Sequence, residues 1–351
     1  MSVQEYKRQL FEAVQNLLWK QWTALGIPGQ IAVADSETIL DPEALIVFSA
    51  GFARYDQRLY DLILDWLLCH SSQINIQRLK ALQIKSEWKD SASLGYIASV
   101  MAESDAARWK KLADCFAAEA SEPTALFRDM DDQPENFIPK CDPLALKCGF
   151  LRNLWQKSEK IPTRLPQTPA SLLLRIRGLL GISARAETIL ILLASKHCKV
   201  QQIVDRSGFT WKSIQDVLEE MVAGNWVGTV NGSNRGKVYF LNDPEKIRML
   251  FGIHSFNFSA WTTIYDSIGL LWQFYSNPAL AKVSEETFQN ELKNLYRGKI
   301  QPKQLDSDFS LPPDIVEAIL DGSEPEKLTM AALRRGIPDD WNEQRRVFGM
   351  A

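Results

Sequence analysis

The sequence contains no uninterrupted apolar run of the roughly 18 residues that a membrane-spanning helix needs. A long uncharged stretch, Ser267 to Ala281, is broken by Gln273, Asn277 and Pro278. Histidine is scarce: His70, His197 and His254 stand apart, and with Cys198 or the pair Cys141 and Cys148 they make no recognisable zinc quartet. The five cysteines (Cys69, Cys115, Cys141, Cys148, Cys198) are odd in number and lack a CxxC pair, which argues against a secreted disulfide framework and for a reduced compartment. Neither sign of charge dominates, since 40 Lys+Arg face 43 Asp+Glu for a formal net charge of -3. That excludes a histone-like polybasic binder while leaving room for a local basic face. Glu5, Lys7, Arg8 and Glu12 fall where a signal peptide needs its apolar segment, so a soluble, cytoplasmic protein with no membrane contact is expected. There is no fixed-period repeat and no low-complexity tract.

What is present is ordinary globular composition, 46% hydrophobic over 351 residues. One core rarely grows past about 250–300 residues, so two or three packed units are expected. Apolar residues recur at helical spacing through the first 120 residues, as in Leu10, Val14, Leu17 and Leu18 or Leu59, Ile63, Trp66 and Leu67. Asp41-Pro42-Glu43 reads as a helix start, and Asp56, Arg58, Asp61 and Asp65 beside Leu59, Ile63 and Trp66 read as an amphipathic helix with a solvated acidic side. Asn75 to Leu82 has the look of the end of a second helix-turn-helix-like unit.

The chain divides into a helical N-terminal domain at 1–155, a basic Pro-rich linker at 156–170, a central domain at 171–252, a helical part at 253–300 and a loosely structured tail at 301–351. Trp261 to Tyr275 is an aromatic-rich helix suited to packing or dimerisation, and Ser284 can open another helix. The charge that is balanced overall is uneven locally: from Leu151 to Lys212 eleven Lys and Arg stand against three acids. A nucleic-acid site, if there is one, belongs to this region.

The most informative stretch is Ser183 to Leu250. Ala186, Ile189, Leu190, Leu193 and Ala194 form one helical stripe. Val200 to Arg206 makes a short second helix ended by Ser207-Gly208, where glycine permits the left-handed turn. Thr210 caps a third helix with Ile214, Val217, Leu218 and Met221 inward. Trp226 to Val230 and Lys237 to Leu241 then make a β-hairpin around Asn231-Gly232-Ser233-Asn234-Arg235-Gly236.

In this order and at these lengths the segment resembles the bacterial winged helix-turn-helix transcriptional regulators of the MarR/ArsR-like kind. The resemblance is carried by Arg185, Ile189, Leu190, Leu192 and Leu193, then by Ile203, Ser207, Gly208, Ser213, Ile214, Leu218, Met221 and Trp226, and finally by Arg235 and Lys237 in the wing. It covers about a fifth of the chain and implies a mainly α protein with a central winged helix-turn-helix, flanked by a helical N-terminal part and a helical C-terminal part. It further implies sequence-specific binding of double-stranded DNA by a transcriptional regulator, a repressor acting as a homodimer, with no enzymatic activity and no cofactor. The third helix enters the major groove in such proteins and the wing meets phosphate. The residues implied at DNA are therefore Thr210, Trp211, Lys212, Ser213, Gln215, Asn234, Arg235 and Lys237. Lys212 is suited to phosphate or guanine and Gln215 to adenine. Asp216, Glu219 and Glu220 on the outer side of the same helix run against the pattern, because carboxylates near phosphates repel. No effector ligand is identifiable.

Two other classes stay open: a winged-helix scaffold that contacts protein, and a nucleic-acid-processing enzyme of a defence system. Against the enzyme, Gly232 to Lys237 is one residue short of a phosphate-binding loop and ends in Val238 instead of Ser or Thr. Asp129, Asp131 and Asp132 lack the glycine and spacing of a calcium loop and read as a solvated acidic loop. Glu87-Trp88-Lys89 matches only the end of a metal-dependent nuclease motif. Cys115 and Cys148 are candidates for a redox-sensing thiol without an activating neighbour beyond Lys147.

Overall fold

The inward stripe Leu10, Val14, Leu17 and Leu18 lies wholly buried along the first helix, α1 (Val3–Ala24), in a computed structural model that describes residues 3–29, 38–117, 122–134, 140–195, 197–231, 236–254 and 256–300. The expected tail at 301–351 lies outside the described residues. The protein is mainly α, with only two-stranded sheets among the described residues. Asp41 accepts from the Ala44 amide at 3.0 Å and caps α2 (Pro42–Phe52), with Pro42 in the first turn as the sequence suggests. Asp56, Asn75, Asp90 and Asp105 cap α3 (Gln57–His70), α4 (Ile76–Lys85), α5 (Ser91–Ser104) and α6 (Ala106–Cys115) in the same way. These six helices bury one large core, to which the short α7 (Pro143–Lys147) adds Ala145.

A second core belongs to α8 (Leu172–Leu180), α9 (Ala184–Ala194), α10 (Val200–Ser207), α11 (Trp211–Ala223), α12 (Pro244–Leu250) and a hairpin of β1 (Val227–Asn231) with β2 (Lys237–Leu241). The chain then returns. The strand segment Asn257–Phe258 runs parallel to Thr38–Ile39, and Trp261 Nε1 donates to the Ile39 carbonyl at 2.7 Å. α13 (Trp261–Tyr275) enters the first core, where Tyr265 stacks on Phe48 at 4.5 Å and Trp272 Nε1 donates to Tyr55 Oη at 3.2 Å. The helix expected to serve packing or dimerisation thus packs its aromatic face beside α1 and α2, followed by α14 (Glu285–Leu295) under its Ser284 cap.

The basic linker is not a free tether. Arg152 pairs with Asp61 at 2.7 Å, the Ser158 hydroxyl donates to Asp65 at 2.5 Å, and His70 Nε2 donates to the Pro162 carbonyl at 3.0 Å. Residues 152–162 therefore strap the side of α3 that the sequence suggests is solvated. The acidic stripe is covered, and burial pushes the Asp61 and Asp65 carboxyls above the usual range. Burial likewise lowers the pKa of His70, only partly offset by the Pro162 carbonyl. Below the ordinary histidine range near 6.5 the unfolded chain binds a proton that the folded chain refuses, so this group's contribution to stability falls as pH drops through that range. His70→Phe is expected to flatten the decline in urea midpoint between pH 7.5 and 6; an unchanged decline would assign it elsewhere.

The two cores meet across buried ions. Arg177 of α8 donates to Glu43 of α2 at 2.6 and 3.0 Å and to Glu187 of α9 at 2.8 Å. Arg78 of α4 donates to the other face of Glu43 at 2.8 Å and to Asp41 at 2.5 and 2.6 Å, and the Asn75 amide donates to Glu43 at 2.8 Å. Glu43 and Arg177 have no exposed side-chain surface. Burial raises the Glu187 pKa, whereas at Asp41 the Arg78 charge and hydrogen bonds outweigh burial and lower it. The network holds α8 and α9 against α2 and α4.

Candidate nucleic-acid interface

The turn between α10 and α11 is built by Gly208, which takes φ +74 and donates to the Val204 carbonyl at 3.1 Å, and by Ser207, whose buried hydroxyl accepts from the Phe209 amide at 3.2 Å. A side chain other than glycine is strained there. Thr210 Oγ1 then accepts from the Ser213 amide at 3.2 Å and caps α11. Ile214, Leu218 and Met221 are buried and Val217 is half-buried, as the 3.6-residue period requires. That burial turns the opposite side of the helix outward.

At the outward N-terminal end, Trp211 is 54% exposed and Lys212 is exposed with no ion pair among the described residues. Ser213 is half-buried, its hydroxyl 2.8 Å from Thr210 Oγ1, so both hydroxyls serve the cap. Gln215 Nε2 donates to Glu219 Oε1 at 2.5 Å, so its amide is engaged within α11. Farther along, Arg185 of α9 pairs with Glu220, and Asp216 is exposed. Glu219 and Glu220 therefore lie in the C-terminal half of α11, a helix about 20 Å long, whereas Asp216 sits before its midpoint, one turn after Lys212.

The hairpin stands beside this helix in the register Val227↔Leu241 to Asn231↔Lys237. Val227, Tyr239 and Leu241 face the core, and Cys198 adds a bridge to Tyr239 with N–O distances of 2.8 and 2.9 Å. Phe240 lies against Gly228, where any Cβ would strike its ring. Lys237, at the base of the tip, is exposed. Asn234 and Arg235 lie outside the described residues. Of the eight expected positions, Thr210, Trp211, Lys212, Ser213 and Gln215 thus share one end of α11 and Lys237 sits on the neighbouring hairpin.

No group of three or more His, Cys, Asp or Glu among the described residues is placed to hold a metal ion. In the acidic loop, Asp132 accepts from Tyr55 Oη at 2.9 Å, Asp131 pairs with Lys7 at 3.5 Å, and Asp129 accepts from the amides of Asp131 and Gln133. Its carboxylates are engaged by the protein itself, and burial first, with Asp132 adding, pushes the Tyr55 hydroxyl up to about 12. Trp88 of the nuclease-like triplet is buried between Gly51 and Gly269, and Lys89 Nζ donates to the Ile84 carbonyl. Burial raises the Cys148 thiol, the opposite of an activated nucleophile. No described helix is long and apolar enough to cross a membrane.

One neighbour had no local signal in the sequence. A Cβ on Gly208 would lie 3.4 Å from Cγ of Arg78, so the first turn of α4 abuts the turn that aims α11, from 130 positions away in the chain. In comparisons with known proteins, no family model, no curated protein and no solved structure matches this chain.

Proposed function

We propose that the protein is a winged-helix DNA-binding regulator that reads duplex DNA with the first turns of α11 and steadies it with the β1–β2 hairpin. The observation that carries this reading is the outward N-terminal end of α11, capped by Thr210 and bearing Lys212 and Trp211, on a helix whose opposite side is buried. Such an end fits a major groove about 12 Å wide, and Lys237 is placed for phosphate. Glu219 and Glu220 sit toward the far end of α11, where they clear the groove, while Asp216, one turn after Lys212, restrains the protein from gripping any duplex indiscriminately. Repression by covering a promoter is the simplest consequence, and a homodimer would read half-sites about one helical turn apart.

Recovery of bound fragments from a genomic DNA library tests binding and finds the site together. On a recovered fragment, Lys212→Ala is expected to weaken binding by about 1–2 kcal/mol, roughly tenfold, with the fold intact by circular dichroism. Undiminished binding would remove α11 from the interface. A second reading, a scaffold that contacts protein, is favoured by Trp226, 58% exposed beside exposed Val222 at the acidic end of α11. Trp226→Ala is expected to leave DNA affinity unchanged; if it is Trp226→Ala and not Lys212→Ala that abolishes activity in cells, the scaffold reading prevails.

A further inference from the structure

We propose that α4 and α6 form a second phosphate-binding surface, which takes the backbone of the same duplex that α11 reads; the inference rests on the DNA reading above. Along these two helices six cations (Arg78, Lys80, Lys85, Arg108, Lys110, Lys111) face one acid, Asp114, in a chain whose net charge is -3. Two of the six are structural. Arg78 belongs to the buried ion network, and Arg108 donates to the carbonyls of Ser71 at 2.9 Å and Ile74 at 2.8 Å, fixing the turn that leads into α4. The other four, Lys80, Lys85, Lys110 and Lys111, are exposed, and none has an ion pair among the described residues. Because α4 and α6 pack against each other, the four lysines belong to one two-helix ridge, with Lys85 two turns after Arg78 on the same side of α4 and Lys80 on the flank about 140° round from Lys85. A ridge of one sign with so little internal compensation is the electrostatic footprint of a polyanion partner.

Its position selects the polyanion. The first turn of α4 touches the α10–α11 turn through Arg78 and Gly208, two residues before the Thr210 cap. α4 has ten residues and is about 15 Å long, and packed helices lie about 8–10 Å apart, so the ridge begins at the reading helix and extends away from it by about a helix length. A duplex presents one negative charge per about 1.7 Å of its axis, so a duplex seated at α11 carries phosphates across that span. The Asp41, Glu43, Arg78, Arg177 and Glu187 network keeps the ridge and α11 in one fixed relation. The acids nearest the ridge by sequence are Glu87 and Asp90, just after α4, and Glu103, Asp105 and Asp114 at the ends of α5 and α6; Asp90 and Asp105 are occupied as caps.

The test uses the full chain with Lys80, Lys85, Lys110 and Lys111 all changed to alanine, a substitution set confined to exposed positions. Binding is followed by fluorescence anisotropy across a salt series, on mixed-sequence duplexes of about 14 and about 40 base pairs. On the long duplex the variant is expected to bind at least tenfold more weakly, with the slope of log affinity against log salt shallower by about 0.9 for each phosphate no longer neutralised, about 2 to 4 in all. On the short duplex the parent and the variant are expected to differ far less. Equal affinity and equal slope on the long duplex, with Lys212→Ala still weakening both, would overturn the second surface and leave the DNA reading standing. Failure of the parent to bind either duplex would overturn both. Loss of binding to phosphatidylserine vesicles with DNA binding unaltered would also overturn the proposal, by assigning the ridge to a membrane.

Discussion

Replacing Arg177 with methionine is expected to lower stability by about 3–5 kcal/mol, because it removes the guanidinium shared by two buried carboxylates and strands Glu187, while changing side-chain volume little. Glu43 has no exposed side-chain surface and takes both terminal nitrogens of Arg177, and Glu187 takes its Nε. Glu43 would keep Arg78 and the Asn75 amide, but Glu187, whose pKa burial already raises, would keep little. The loss should be largest where both carboxylates are ionised and smaller as pH falls through the carboxylate range, since protonation removes the stranded charge. Adding Glu187→Gln to Arg177→Met should restore part of it, and the measured coupling should exceed about 0.5 kcal/mol. If the single variant unfolds at the parent's urea midpoint, the two cores are not joined through these ions. Increased cleavage by protease near 163–168, just before α8, would show the same separation in the folded state.

Gly269→Ala gives the second large effect, and its sign separates helix propensity from packing. Propensity alone favours alanine over glycine inside α13 by about 1 kcal/mol. The structure opposes this, because a Cβ at Gly269 would overlap Cβ and Cγ of Trp88, atoms near the backbone that cannot swing aside. On the other side of the indole, a Cβ at Gly51 would lie 2.6 Å from Trp88 Nε1. The ring is held between two glycines on α2 and α13, so neither can yield without moving a helix, and overpacking of about 1–3 kcal/mol or more should win. Denaturant unfolding of Gly269→Ala should therefore show a loss of stability. A gain would mean that Trp88 is not packed between these helices. The loss should leave DNA affinity per folded molecule unchanged, since neither glycine lies in the second core.

Much of the local structure was legible in the residues. Asp41, Thr210 and Ser284 announce their helices because capping is a property of neighbours in sequence, and the stripes of α1 and α11 follow from burial on one side, whereas α9, read as a single stripe, is buried nearly all round, Glu187, Thr188, Ile191 and Leu192 included. Gly208 was legible for the same reason: a left-handed turn is a local demand. The acidic side of α3 misled, because Asp61 and Asp65 look like solvent-facing charges until Arg152 and Ser158, some 90 residues later, are laid over them. Glu43, Arg78, Arg177 and Glu187 were likewise unreadable, each resembling an ordinary helix charge until the two cores met. Trp88 with Gly51 and Gly269 had no signal at all, since a glycine chosen for absent volume looks like any other. At the candidate interface, the outward placement of Lys212 follows from the helical period, which sets Trp211 nearer the core boundary than its observed exposure; the engagement of Gln215 with Glu219 and the approach of α4 to the α10–α11 turn depend on side-chain and tertiary placement.

The proposed function stands on the first turns of α11 and the adjoining hairpin lying against duplex DNA. Amide hydrogen exchange of the full chain, with and without a recovered genomic fragment, tests that placement most directly. On adding the duplex, exchange is expected to slow at 208–216 and along 227–241, with 219–226 unchanged. Protection confined to 219–226, or no change in the second core while the duplex is bound, would contradict it.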